Sequence, residues 1–599
     1  MTGAHPADDN AVDPDRQQRR ASDPVASVWV GASAGSGKTK VLTDRVLRLL
    51  LSGTQPQRLL CLTFTKAAAA EMANRVNLSL GEWATAPDDA LREKLARLTG
   101  APPGDAAVAM ARRLFARVLD VPGGLKIQTI HSFCESLLGR FPIEADVPPH
   151  FQVMDERSAA ELLRAARDDV LAAALRDDES RAALETLTAY LHEDRFSDLL
   201  QGLLTQRGRL RWLIGEDGSL AAARDAVYRT LGIDAGVTKS GLVAAACQDG
   251  TFDRAGLKAA AEALLGGTKS FQPRGRLLAD WLAEDSPGRV HRFDEYLRVF
   301  LTGQLTVYAN LLDKKSGERN PAALAALERE AERVSAVLEQ CRTAATAQAT
   351  AALLQLGGAI LRAYARAKSL RVQFDYDDLI YKARDLLRSD RDGQAAWVLF
   401  KLDGGLDHVL IDEAQDTNPD QWEVVAAMAD EFFAGMGARD VDRTIFAVGD
   451  TKQSIFSFQR AEPAFFRAYR EYFEKRTTDA GKGWDTVDLD ISFRSAPSVL
   501  RAVDAVFAAD PARDGVVEPG DELRHKAYRA AQAGLVEVWP AVGPVEEDGA
   551  EWQPPVRRRD RLAPEVRLAK LVTQKLCRWI GREPLPSHGR TVRAGDVMI

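Results

Sequence analysis

Several features that would narrow the class of this chain are scarce or missing. Its 599 residues hold five cysteines, Cys61, Cys134, Cys247, Cys341 and Cys577, dispersed with no C-x-x-C pair. Such spacing supports neither a disulfide framework nor a zinc site, and it suits a reducing cytoplasm. Excess positive charge is absent: the formal net charge is −7. Any site for a polyanion is therefore a local groove and not a property of the whole surface. No apolar run approaches a membrane span, and Arg19-Arg20 lacks the apolar stretch of an export signal behind it. Internal repeats and long low-complexity tracts are missing too. What remains, 46% hydrophobic and 28% charged, is globular material with several cores. At ~150 residues per domain the length allows about three or four domains.

Against that background, Ala32-Ser33-Ala34-Gly35-Ser36-Gly37-Lys38-Thr39 stands out. It follows the apolar run Val28–Val30 and precedes the amphipathic segment Val41–Leu47. Strand, glycine-rich loop and helix in this order wrap backbone N–H groups around a phosphate chain at a helix N-terminus. Lys38 can then reach the β and γ phosphates and the Thr39 hydroxyl can ligate magnesium. Ala32 stands where the first glycine usually is, so an ordinary Gly/Ser turn is the competing reading. A second apolar strand, His408–Ile411, ends in Asp412-Glu413. Asp412 is placed to hold magnesium and Glu413 to orient and deprotonate a water. Hydrolysis needs both halves, and each raises the weight of the other.

Short β-rich runs at 28–30, 59–64 and 125–130, and again at 408–411, 444–448 and 487–489, alternate with helical patterns. That alternation predicts an α/β fold with a parallel sheet. Between them the character changes to Ala, Leu, Arg and Glu at helical spacing, opened by Ser158–Glu161 as a capping box. Leu162, Leu163, Ala166, Val170 and Leu171 line one face there, and Gly232, Gly250 and Gly266-Gly267 punctuate the stretch. The boundaries read as a flexible lead-in over 1–23, a first domain over 24–155 and 364–482, a helical insertion over 156–363, and the start of a second domain over 483–599. Arg557-Arg558-Arg559 reads as a solvated loop, with a DNA contact as the lesser alternative. Gly595–Ile599 looks like a turn entering an apolar strand at the point where the sequence stops, so the chain reads as a fragment of a longer protein.

Six ordered segments carry a family resemblance. The phosphate loop, Thr63–Met72, Thr129–Phe133, Asp412–Thr417, Val448–Phe458 and Leu489–Ser495 resemble the motifs of the UvrD/Rep (superfamily 1) DNA helicases. Gln18, ahead of Arg19-Arg20-Ala21, is similar to that family's adenine-reading Q motif. Within the family, Leu62–Val76, Ser457-Phe458-Gln459 and the long helical insertion resemble the AddA helicase–nuclease subunit of bacterial double-strand-break repair.

The resemblance implies two RecA-like P-loop NTPase domains, the second incomplete here, with ATP and Mg2+ between them. Gln453 would sense the γ-phosphate and Arg494 would approach it from the second domain. It also implies 3′ to 5′ movement on single-stranded DNA, unwinding of duplex, and an AddB-like partner subunit. Phe64 and Phe458 hold positions where relatives stack bases, worth about 1–3 kcal/mol each. Thr63, Thr65, His131 and Ser132 could touch phosphates and sugars. Core packing is the rival reading for both phenylalanines. Phe374–Leu379 resembles a family element without an assigned chemical role. Gln459 departs from an arginine common in relatives, with Arg460 one place later, and nothing after Arg494 resembles motifs V or VI. Those departures leave a second hypothesis open, a nucleotide-gated DNA-binding or partner-docking module with vestigial ATPase. A UvrD-type repair helicase without a nuclease is a further alternative. A P-loop kinase fits poorly, because Asp-Glu-Ala-Gln with a Gln453-type sensor serves attack by water.

Overall fold

Apolar stretches of four to six residues build the sheet that organises this protein. The structure, a computed structural model, describes residues 13–207, 210, 221–388, 394–403, 405–433, 441–454, 462–516, 523–543 and 563–599. In chain order the first eight strands are β1 (Ser27–Ala32), β2 (Leu59–Thr63), β3 (Lys126–Thr129), β4 (Gln152–Val153), β5 (Gln373–Phe374), β6 (His408–Ile411), β7 (Thr444–Gly449) and β8 (Trp484–Leu489). Six of them form one sheet in the order β3-β2-β6-β7-β1-β8, with every pairing parallel. Helices cover both faces, as a parallel sheet requires. Alternate residues divide between the two layers. Trp29, Leu62, Val409 and Ile445 join the core beneath helices Ile130–Arg140, Tyr376–Arg388, Pro419–Phe433 and Pro463–Asp479. Val28, Cys61, Leu410 and Phe446 join the core beneath Lys38–Leu51, Lys66–Thr85, Asp88–Thr99 and Asp105–Leu119. Trp29 anchors the first layer, stacking on Trp422 at 5.6 Å and packing on Phe466 at 4.9 Å.

All six expected strands are present, His408–Ile411 with its expected limits and the others with ends shifted by one to three residues. Ile130 starts a helix, because the Thr129 hydroxyl accepts from the Ser132 N–H and caps it. The last strand runs back to Trp484 and pairs with β1 from Ser27↔Trp484 to Ala32↔Leu489. It therefore belongs to the first sheet, beyond the 482/483 boundary drawn from sequence. The lead-in needs a similar correction over its described part. Pro14–Ala21 is a helix capped by Asp13, with Gln18 and Ala21 buried. Arg20 forks onto Asp485 at 2.5 Å through both Nε and Nη2, which ties the helix to β8.

The helical insertion leaves and re-enters the sheet domain through β4 and β5, which pair in parallel. The Met154 N–H donates to the Phe374 carbonyl at 2.8 Å, and Phe151 lies 5.1 Å from the Phe374 ring. Asp155, not Ser158, caps the first helix, Glu156–Ala174, by accepting from the Ser158 N–H. Leu162 and Ala166 are buried on its predicted face, and Leu163, Val170 and Leu171 are half-buried. The spine is one helix of 50 residues, Pro321–Leu370, about 75 Å long at 1.5 Å per residue. It runs seven residues past the expected end of the insertion at 363. Its alanine-rich sequence reaches a mean hydropathy of 1.3 over an 18-residue window, which by composition alone is apolar enough to cross a membrane. The expectation of no such run is corrected here, since alanine counts as apolar on that scale. In the fold the helix is a packing spine: Ala323, Leu327 and Val334 enter a core with Trp281 and Tyr296, and Leu356 and Ile360 pack against the helices nearer the sheet.

The described chain falls into two compact units, one running to Leu489 and one comprising Asp490–Ile599 with the loop Ser33–Gly37. In the second unit Ile491–Ser492 pairs in parallel with Lys526–Ala527, and Pro584–Leu585 pairs antiparallel with Arg590–Thr591. Residues 597–599, expected to enter a strand, have no regular structure and follow a short turn of helix at Ala594–Asp596.

His408, at the start of β6, is a pH-sensitive point in the first unit. Its Nδ1 lies 2.8 Å from the Thr444 hydroxyl and its Nε2 3.4 Å from that of Thr54. Burial, assisted by Arg45, pushes its pKa from 6.5 down to about 3. The folded state keeps the ring neutral, whereas the unfolded chain takes up a proton below about 6.5. Stability is therefore lost as pH falls from about 6.5 toward 3, by about 2 kcal/mol between pH 7 and 5. Urea titrations followed by tryptophan fluorescence should show that drop, and His408→Gln should flatten it. An unchanged pH dependence in the variant would refute the assignment.

Candidate nucleotide site and nucleic-acid face

The sheet order brings distant segments to one edge. β6, β7 and β1 are consecutive neighbours, so the residues after their carboxyl ends converge: Asp412-Glu413, Asp450–Gln453 and Lys38. Ligands of open α/β sheets bind at such an edge. β2 and β3 lie on the far side of β6, so Phe64 and His131 fall beside this group.

Within the loop, Gly35 has φ +76° and Gly37 φ +93°. Side chains disfavour both conformations, which explains the glycines. A Cβ on Gly35 would also lie 2.7 Å from the Arg494 Cβ and 3.0 Å from the Ser492 hydroxyl. The Phe493 N–H donates to the Gly35 carbonyl at 2.9 Å. Arg494, exposed itself, thus borders the loop through its own unit. Ala32 needs no glycine freedom, since it is the last residue of β1 and is 5% exposed. Among the loop residues Ser36 is buried, Ser33 and the two glycines are half-buried and Ala34 is exposed.

Lys38 opens the helix after the loop, and its Nζ meets Glu413 Oε2 at 2.6 Å across 375 positions of sequence. Thr39, half-buried, lies in the first turn, where backbone N–H groups have no intrahelical partner. Glu413 adopts φ 49°, ψ 46°, a left-handed conformation. That costs a side-chain-bearing residue roughly 1–2 kcal/mol, and such strain collects at functional sites. Asp412, 9% exposed, has its pKa raised to about 6, first by burial and then by the Glu413 charge, with Lys38 opposing. Two adjacent carboxylates on a buried strand end, facing one lysine, form a donor set suited to a hard divalent cation. Gln453 is exposed at the end of a short turn, and its Nε2 donates to Asp450 Oδ2 at 2.8 Å. Gln18 is buried, and its Oε1 accepts from Lys40 Nζ at 2.8 Å, beside the helix that follows the loop.

On the β2–β3 side a pocket of about 470 Å³ opens, with Phe64, His131, Tyr376, Asp416, Arg164 and Arg207 among its walls. His131 meets the Tyr376 ring edge-on at 5.3 Å. Burial lowers the His131 pKa, while Asp377 pulls it the other way. Phe64 is half-buried and lines this cavity. The hydroxyls near it serve the fold. Thr63 is 3% exposed and donates to the Thr65 carbonyl, Thr65 caps the helix Lys66–Thr85, and Ser132 lies 3.0 Å from the Thr129 cap. The expected phosphate contact is corrected for Thr63, whose burial turns its hydroxyl inward. Phe458, Gln459 and Arg460 lie outside the described residues.

The Phe374–Leu379 element gains a structural role. Asp375 and Asp378 cap each other's backbone N–H groups at 3.0 and 3.1 Å. Tyr364 donates to Asp375 at 2.7 Å and Lys368 at 2.9 Å, while Arg207 pairs with both Asp375 and Asp377. Burial pushes the Asp375 carboxyl up, but Arg207 and Lys368 outweigh it and hold it below the ordinary range. Insertion residues 207, 364 and 368 thereby dock on the pocket wall. Tyr376, Asp416 and Arg207 had no sequence assignment. An aromatic inside an acidic helix start, Asp375-Tyr376-Asp377-Asp378, was the signal for Tyr376; nothing local marked Arg207.

The profile of the UvrD/REP helicase N-terminal domain matches residues 14–474. The chain is also similar to curated proteins whose names make them the A subunits of ATP-dependent helicase/nucleases. The one from Desulforudis audaxviator (strain MP104C) is 30% identical over 516 residues, 80% of this chain and 38% of that protein. The one from Enterococcus faecalis (strain ATCC 700802 / V583) is 27% identical over 530 residues, 82% of this chain and 38% of its own length. The chain thus spans well under half the length of these relatives. The profile match over most of the chain shows that it belongs to the UvrD/REP helicases.

Proposed function

We propose that this chain is the ATP-binding motor portion of an AddA-type helicase–nuclease, a DNA-stimulated ATPase that moves 3′ to 5′ along single-stranded DNA. The 2.6 Å contact of Lys38 with Glu413 carries the reading, because it joins the phosphate-loop lysine to a carboxylate able to act as a base. ATP is the substrate, and Thr39 and Asp412 would hold Mg2+, which neutralises phosphate charge when bound. Lys38, released from Glu413 by the incoming phosphates, supplies positive charge to them. Glu413 then takes the proton of the attacking water. Gln453 reports the γ-phosphate, and Arg494 is assigned to the transferring phosphate, where such an arginine is worth about 10³–10⁵ in rate. Gln18 is assigned to the adenine. Phe64 and His131 supply the face on which bases stack, with Phe458 as the second stacking residue, and Thr65 and Ser132 are the backbone contacts in this reading. Duplex unwinding in double-strand-break repair, an AddB-like partner and a cytoplasmic location complete the proposal.

Two outcomes test it. Lys38→Ala should lower ATP hydrolysis stimulated by single-stranded DNA by roughly 10²–10³, the range for losing one preorganised charge donor, as read in a phosphate-release assay. Turnover that survives at the unaltered rate would remove Lys38 from the mechanism. Phe64→Ala should weaken single-strand binding by about 1–3 kcal/mol whatever the base sequence, as a stacking platform predicts. Fluorescence anisotropy with homopolymeric oligonucleotides measures this, and a loss confined to one base would argue against stacking.

A further inference from the structure

Gln415 belongs to the motif that follows β6, yet the motor reading gives it no task. Its surroundings give it one. The side chain is 2% exposed, and its amide is used at both ends. Oε1 accepts from the Asp450 N–H at 2.9 Å. Nε2 donates to Glu413 Oε2 at 2.8 Å and to Asp416 Oδ2 at 3.2 Å. The orientation of the amide follows from these partners, since a backbone N–H requires an acceptor and two carboxylates require a donor. Among uncharged side chains of this length, only glutamine offers both.

The contacts continue on either side. Asp450, which holds Gln415 through its N–H, accepts from the Gln453 amide at 2.8 Å and from the Lys452 N–H at 3.1 Å. Glu413 holds Lys38. Asp416, the other recipient of the Gln415 amide, lines the pocket with Phe64 and His131. Its Oδ1 is buried with no hydrogen-bond partner among the described residues. The next residues are rigid: Asn418 and Gln421, which also line the pocket, cap each other's N–H groups at 3.0 and 2.9 Å. A Cβ on Gly449 would lie 2.7 Å from Gln415 Oε1, so only glycine there leaves the amide its place against β7.

We propose that Gln415 is the positioning residue that couples the pocket to the nucleotide site, holding Glu413 with one N–H and the pocket-wall carboxylate of Asp416 with the other. This deepens the motor reading and rests on it. A base edge that presents N–H groups to the pocket finds an acceptor in Asp416. Drawing that carboxylate away loosens its hold on Gln415 and leaves the amide to Glu413. In the other direction, a phosphate at Gln453 pulls on Asp450 and, through its N–H, on Gln415. Coupling of this kind is reciprocal in binding free energy, so each ligand alters affinity for the other by the same factor.

The test needs no turnover. In the 599-residue chain, the affinity of a labelled oligothymidylate is measured with and without a non-hydrolysable ATP analogue and Mg2+. The unaltered chain should show a coupling factor of about 5–150, the usual range for linked sites. Gln415→Leu, which removes all three side-chain hydrogen bonds, should bring the factor within about twofold of unity, below that range. Gln415→Glu keeps the acceptor for Asp450 and sets a third carboxylate against Glu413 and Asp416, and it should do the same. Each ligand alone should still bind both variants within about threefold of the unaltered affinity, a shift well under 1 kcal/mol. A factor in the variants equal to that of the unaltered chain would overturn the proposal. If the leucine variant loses analogue binding through misfolding, Asp416→Asn decides, because a factor unchanged there overturns it equally. A factor of unity in the unaltered chain would refute the coupling but leave the motor reading to the Lys38→Ala assay.

Discussion

Lys38 and Glu413 sit 375 residues apart in the chain and 2.6 Å apart in space. That proximity depends on a single constraint, the order of three parallel strands. β1 and β6 both lie against β7, so everything emerging from their carboxyl ends emerges at one edge. A parallel sheet achieves this because each strand must be re-entered from the same end, through a crossover long enough to hold a helix or, here, an entire insertion. The lysine after β1, the short turn after β7 and the carboxylates after β6 become neighbours for that reason alone. The aromatic side of the site, after β2 and β3, follows from the next two places in the same order.

The insertion could have weakened this arrangement, since more than two hundred residues leave the sheet domain between β4 and β5. Its two ends are stapled where they enter, by strand pairing and by the contact of Phe151 with Phe374. Beyond the staple, Tyr364, Lys368 and Arg207 converge on Asp375. A buried carboxylate is costly unless charges and hydrogen bonds meet it, and this one is met by two cations and a phenol. Since the same aspartate caps the helix carrying Tyr376, the position of the insertion and the shape of the pocket are tied together. The left-handed backbone of Glu413 is tolerated in a related way, because neighbours on both sides hold it: Lys38 and Gln415 at the carboxylate, and the Asp412 carboxylate at its N–H.

Much of this is legible in the sequence. β6 reads at 408–411 with its observed limits, since the apolar run Val409–Ile411 behind His408 is bounded by Asp407 and Asp412. Lys38, Asp412 and Glu413 are legible because a phosphate loop and a strand-end carboxylate pair have strong local signatures. The structure corrects readings in which local pattern competes with long-range pairing. Trp484–Leu489 looks like the opening of a new domain and proves to be an edge strand of the first, a pairing set by Ser27–Ala32 some 450 residues earlier. Ser158–Glu161 reads as a capping box, but Asp155 takes the cap one turn sooner. Thr63 reads as a contact for nucleic acid, and burial turns its hydroxyl inward.

By itself the amino-acid order determined the chemistry on offer: a glycine-rich loop with its lysine, two acids at a strand end, an aromatic after β2, and a long alanine-rich helix. These are properties of neighbouring residues, and short-range sterics and hydrogen bonding suffice to express them. Only the tertiary structure decided which of these groups meet. It put Gln415 between Glu413 and Asp416, brought Arg207 to Asp375, and set Tyr376 against His131. No window of sequence contains those partners together, because strand order and the docking of the insertion create each contact, and both are settled by the burial of apolar faces across hundreds of residues.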